Sequence, residues 1–191
     1  MFDKLRKRFL GSDFKNGTEN SQETNIVTAK EKQSVIIKSY LKPMLKQHGY
    51  LTNSQTWWRD QGDFFIIINL QNFSWNTKED VNFCFNIGIA LKSIMKDLSK
   101  KPTYGDLTIQ IRDGGYLSGP RQSHKHMNKT GYIINSHTVL DHFVNELKID
   151  FEGEILPQLD KLKTLNDCVE YYKRFPFWGN RLKELIEEYK S

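Results

Sequence analysis

The sequence predicts an α+β fold, a mostly antiparallel sheet of about five strands with helices packed on one face and a helical C-terminal region. Three observations predict it. The stretch FFIIINLQNFSWNTKEDVNFCFNIGIAL (64–91) holds two adjacent strand-like runs of high apolar density. Shorter alternating runs flank it, and helix-period stripes stand before it and from Val139 onward.

In the first central run Phe64, Ile66, Ile68 and Leu70 share one face, and Phe65, Ile67, Asn69, Gln71 and Phe73 the other. In the second, Val81, Phe83, Phe85, Ile87 and Ile89 oppose Asn82, Cys84, Asn86, Gly88 and Ala90. Placing both greasy faces on the same side allows only pairs with an odd index sum, because a slip of one residue flips every side chain. A sum of 155 sets Leu70 against Phe85, Asn69 against Asn86 and Gln71 against Cys84. It gathers the amides of Asn69, Gln71 and Asn86 on one patch.

Before the hairpin, residues 1–28 read as a basic arm and polar linker, and 29–191 as one α+β domain. MFDKLRKRFL spaces Phe2, Leu5 and Phe9 as on a helix, with four basic side chains from Lys4 to Arg8. Thr28 and Glu31 have capping-box spacing, and Ile37, Tyr40, Leu41, Met44 and Leu45 form a stripe that Gly49 ends. Pro43 predicts a kink or a restart in that helix. A short strand follows over 56–59.

The polar loop between the central strands carries Trp75, which either recognises a partner or folds back onto the sheet. Beyond it Leu91, Ile94, Met95 and Leu98 predict a short helix. Leu107, Ile109 and Ile111 predict a strand with one wet face, and Asp113-Gly114 a tight hairpin turn into 115–118. Residues 119–131 read as a basic loop and 132–135 as a last strand. Then come stripes through Leu140, Phe143, Val144 and Leu147, and through Ile155, Leu159 and Leu162 after an interruption at Gly153. A helix capped by Thr164 is followed by a turn at FPFWGN and a final helix from Arg181.

Composition narrows the function classes. A chain of 191 residues can bury a core without disulfides or metal. Its net charge of +5 is too small to imply nucleic acid without a clustered patch. Cys84 and Cys168 read as buried free thiols. With no signal peptide and no apolar run near the roughly 18 residues of a membrane span, a cytoplasmic protein without stable membrane insertion is expected.

No residue set has the type and spacing that a known reaction demands, so the sequence leans away from an enzyme, and no cofactor is expected. His124 and His126 point the same way on an extended chain but lack a third metal ligand, and a solvated loop is the expectation. His137 and His142 do not share a helical face. Arg112, Arg121, Lys125 and Lys129 make a basic zone that reads as a solvated edge or as a contact for phosphates or an acidic protein. Asn69, Gln71 and Asn86 are satisfied by a helix end or loop, or they line a polar pocket.

The order LKPMLKQHGY (41–50), WWRDQGDFFIIINLQNFSWN (57–76), VNFCFNIGIAL (81–91) and IRDGGYL (111–117) resembles a bacterial family, domain of unknown function 4304, over about 33–165. The resemblance implies a fold and no activity. It is compatible with an immunity-like role, in which the protein binds and neutralises a partner toxin through Trp75, Arg112, Arg121 and Lys125. The alternatives are nucleic-acid binding through the basic loop, and a small ligand or substrate at the amide patch.

Overall fold

In a computed structural model that describes residues 27–189, seven strands form one antiparallel sheet. They are β1 (Leu51–Asn53), β2 (Thr56–Asp60), β3 (Phe64–Asn72), β4 (Asp80–Leu91), β5 (Ile109–Arg112), β6 (Met127–Asn128) and β7 (Gly131–Asn135). The spatial order is β1-β2-β3-β4-β7-β6, with β5 also on β4. The basic arm expected at the N-terminus lies outside the described residues.

β3 and β4 pair from Phe64↔Leu91 to Asn72↔Phe83, the register of sum 155. Their greasy faces therefore coincide. Phe64, Ile66, Ile68, Leu70, Phe83, Phe85, Ile87 and Ile89 are all buried in one apolar cluster that includes the helices. Full burial of each such side chain contributes about 2 kcal/mol.

The first helix begins at the capping box of Thr28 and Glu31. It runs as α1 (Ala29–Ile36), widens to a π-helical segment (Ile37–Leu41) and continues as α2 (Lys42–Gln47). At Pro43 the α-helix restarts, with the proline in its first turn, after this widening of the turn that faces the proline ring. Gly49 ends the helix at φ +80°. Buried Lys32 pins α1 to the chain after β7, donating Nζ to the carbonyls of Ser136 (2.5 Å) and Thr138 (2.8 Å).

After β7 come α3 (Leu140–Lys148), a π-helical segment (Ile149–Ile155), α4 (Leu156–Leu159), α5 (Leu165–Tyr172) and α6 (Pro176–Glu188). Gly153 does not interrupt the helix, which passes through it. FPFWGN is not a turn either: Pro176 starts α6, where a missing N–H costs nothing. Gly179 lets α6 approach α5 closely, since a Cβ there would lie 2.7 Å from the Tyr172 carbonyl oxygen.

Two other expectations change. The helix expected after Leu91 is only one 3-10 turn (Lys92–Ile94). The segment crosses the other sheet face, where Met95 and Leu107 cover Trp58, Phe65, Ile67 and Ala90. The hairpin expected at Asp113-Gly114 is a 3-10 turn (Asp113–Tyr116) with no returning strand. β4 instead gives one edge to two partners, residues 80–83 to β7 and 86–89 to β5.

This sharing leaves no room at Gly88, where a Cβ would fall 1.7 Å from the Ile109 carbonyl oxygen. Gly88→Ala is expected to lower stability by about 3 kcal/mol in chemical denaturation, and Gly114→Ala, with open space around it, by less than about 1 kcal/mol. Equal midpoints for the two variants would contradict the close β4–β5 approach.

Candidate functional site

The sheet face away from the helices carries a row of amides. β3 places Gln71, β4 places Asn86 and β5 places Gln110 on this side, by the alternation of each strand. Asn86 Nδ2 donates to Gln71 Oε1 at 2.9 Å, and Gln110 Nε2 donates to Asn86 Oδ1 at 2.9 Å. Fully buried Asn86 is thus satisfied by its neighbours, and neither a helix end nor a loop is needed. Asn69 lies opposite Asn86 on the same face but donates to Thr56 Oγ1 at 2.9 Å and not to the row.

Next to the row lies an aromatic platform. Phe73 continues the Gln71 face, and the Trp75 ring stacks on it with centroids 4.6 Å apart and planes 6° from parallel. The Arg112 guanidinium, on the strand neighbouring Asn86, lies 5.7 Å from the Phe73 centroid. Trp75 neither folds into the core nor hangs free; it is 61% exposed on top of another ring.

The loop that holds it is tied down. Asn76 Nδ2 donates to the Asn82 carbonyl and Asn76 Oδ1 accepts from the Asn82 amide, both at 2.8 Å. Thr77 Oγ1 accepts from the amides of Glu79 and Asp80. The Lys78 carbonyl accepts from the Ala29 amide at the start of α1.

The basic zone loses Arg121 and both histidines to packing within the fold. Arg121 turns inward, donating Nε to Asp150 at 2.7 Å and pairing with Glu146 at 2.7 Å. His124 Nε2 lies 3.2 Å from the other Asp150 oxygen, which also accepts from the Tyr132 hydroxyl at 2.8 Å. His126 is buried against Phe143, and burial lowers its pKa. The two histidines are therefore packing and hydrogen-bonding groups of the interior, where a solvated loop was expected. Arg112, Lys125 and Lys129 remain exposed.

Arg121 is the arginine partner of Asp150, which is wholly buried and is also met by His124 and Tyr132. Its hydrogen bond also keeps Glu146 below the usual carboxylate range. Asp113 is a second buried carboxylate, at 1% exposure. Burial pushes it up to about 7, against the opposing effect of the Gly114 and Phe85 amides and with Asp150 adding to the rise. Phe85 lies between the two halves of β4 that pair with β7 and β5, so Asp113 serves an amide the sheet leaves over.

The structure thus brings together Trp75, Arg112, Gln71 and Asn86, keeps Asn69 on the same face opposite Asn86, and takes Arg121 away from them. Sequence reasoning missed Phe73 and Gln110 as members, although both follow from strand alternation. It also missed Asp150, whose signal was an acid on the stripe of Phe143, Leu147 and Phe151. Cys84 and Cys168 are buried free thiols pushed up to about 11 and about 12, chiefly by burial. Among the described residues no His, Cys, Asp and Glu cluster could hold a metal, and no helix is long and apolar enough to cross a membrane.

Among known proteins, the profile of a family described as a domain of unknown function (DUF4304) matches residues 41–161, a stretch that includes the platform, the amide row and the Asp150 cluster. No curated protein and no solved structure matches the chain.

Arg121→Ala is expected to cost about 3–5 kcal/mol in denaturation, since it strands a buried charge, whereas Lys125→Ala is expected to fall within about 0.5 kcal/mol of the parent. Similar losses would return Arg121 to the surface. For Asp113, whose pKa is higher folded than unfolded, the favourable contribution is complete below the unfolded value and is lost as pH rises through about 7. The melting temperature of Asp113→Asn should therefore gain on the parent as pH rises from 4 to 7 and hold that gain above. Parallel curves would show that Asp113 is not strained by its burial.

Proposed function

We propose that this chain, which belongs to the family described as a domain of unknown function (DUF4304), is a non-enzymatic binding protein whose partner is another protein seated on the Phe73–Trp75–Arg112 platform. The observation that carries this reading is the large exposed indole, stacked on Phe73 and held on a hydrogen-bonded loop. Tryptophan and arginine dominate the energetics of protein interfaces. A platform ordered in advance avoids the entropy that ordering a loop would cost. The amide row beside it offers a polar rim with donors and acceptors left over for a partner.

An immunity-like role, in which the protein covers and neutralises a toxin in the cytoplasm, is the specific form of this proposal. Nucleic acid is the weaker alternative, because Arg121, His124 and His126 are engaged in the interior. A single ring platform with Arg112 and Lys125 is a sparse electrostatic footprint.

Capture of partners from cell extract by the tagged protein, at low and high salt, tests the proposal when run beside Trp75→Ala. A protein retained at high salt by the parent should bind the variant more weakly by about 2 kcal/mol, with thermal stability unchanged. Equal retention by both would remove the platform from the interface, and nucleic acid lost at high salt would favour the alternative.

A further inference from the structure

At the far edge of the sheet a cleft of about 460 Å³ opens between α2, β1, β2 and the segment before β5. Its size lies within the roughly 300–1,000 Å³ of small-molecule sites. Tyr50, Trp57 and Trp58 form its apolar wall, and Leu51, 64% exposed on the edge strand, continues that wall to the rim. None of these residues belongs to the Trp75 platform.

Three lysines also line the cleft. Lys42 and Lys46 are one turn apart on α2, on the same side of the helix, and Lys101 approaches from a segment distant in sequence. No carboxylate lines the cleft with them, and none of the three forms an ion pair among the described residues. Three lysines around one cleft with no carboxylate in its lining give it a positive potential, which favours an anion.

A second, independent observation concerns the inner wall. Trp57 is fully buried and Tyr50 is 2% exposed, yet the Trp57 indole Nε1–H and the Tyr50 hydroxyl have no hydrogen-bond partner. Burial raises the tyrosine pKa, so its hydroxyl keeps its proton and remains a donor. Buried donors without partners are uncommon in folded proteins, because each forfeits the free energy of a hydrogen bond. Both atoms are closed to solvent, so the cleft meets this wall as apolar ring surface.

An apolar wall and the lysines around it specify complementary parts of one ligand. We propose that the cleft binds a small amphipathic anion, a carboxylate or phosphate monoester carried on an apolar chain or ring. The apolar body packs on Trp57, Trp58 and Tyr50, and the anionic head is held by Lys42, Lys46 and Lys101. The same chemistry is found at the headgroup of an anionic lipid, and the test separates that source from a soluble ligand.

Octyl phosphate is the probe, titrated into the full chain by calorimetry with tryptophan fluorescence in parallel. Octanol, which lacks the charge, and inorganic phosphate, which lacks the body, are expected to bind at least about tenfold more weakly. The surface variant Lys42→Gln/Lys46→Gln should lose about tenfold in affinity for octyl phosphate, with an unchanged melting temperature. Absence of binding at about 1 mM, equal affinity for octanol, or full affinity in the folded double variant would each overturn the proposal. Vesicles containing phosphatidylglycerol supply the last arm: lysine-dependent vesicle binding without octyl phosphate binding would assign the surface to a bilayer and overturn the soluble-ligand site.

Discussion

Nine consecutive residue pairs between β3 and β4 fix the position of nearly everything else. Their register sends Phe64, Ile66, Ile68 and Leu70 to the same side as Phe83, Phe85, Ile87 and Ile89, and that side is where the helices pack. A slip of one residue would turn one of the two strands over, taking its isoleucines away from the helices and putting either Asn69 and Gln71 or Asn86 beneath them. The same register creates the outward face. It brings Gln71 beside Asn86, and β5 then adds Gln110 and Arg112 in line.

The buried charges show how the irregular half of the molecule is held. β4 has one edge and two partners on it, and the junction between them leaves backbone that no ladder satisfies. Asp113 fills this junction from one side, while Gly131 allows β7 to approach from the other, where a Cβ would stand 2.3 Å from the Phe83 carbonyl oxygen. Directly beneath, Asp150 gathers Arg121, His124 and Tyr132, joining the chain after β5 to the helix after β7. Such an ion cluster is costly to desolvate, and it specifies geometry more than it adds net stability.

How much of this was legible depended on whether the determining interaction is local. The register followed from two greasy faces within 28 residues, and the helix starts from Thr28 with Glu31 and Thr164 with Asp167, pairs three residues apart. β1 was illegible because three exposed residues, Leu51–Asn53, carry no alternation; only the hairpin with Trp57 and Trp58 makes them a strand. Ile94, Met95 and Leu98 had a helical spacing, but Phe65, Ile67 and Ala90 needed cover on the second sheet face, and Met95 went there. Arg121 read as a surface cation because its partners lie 25 and 29 residues onward, beyond any local pattern. Of the outward face, Gln71 with Asn86 was foreseen, while Arg112 joined Trp75 only through Phe73.

The hydrogen bonds that brace the loop around Trp75 bear on time as well as shape. A contact surface that needs no rearrangement before docking is met at a rate set by diffusion and orientation, which varies little among variants of one interface. Substitutions of the platform would then alter how long a complex lasts far more than how often it forms. Under the proposed role, residence time, set by the fit of a partner against one fixed indole, would be the quantity that sequence changes in such a loop adjust.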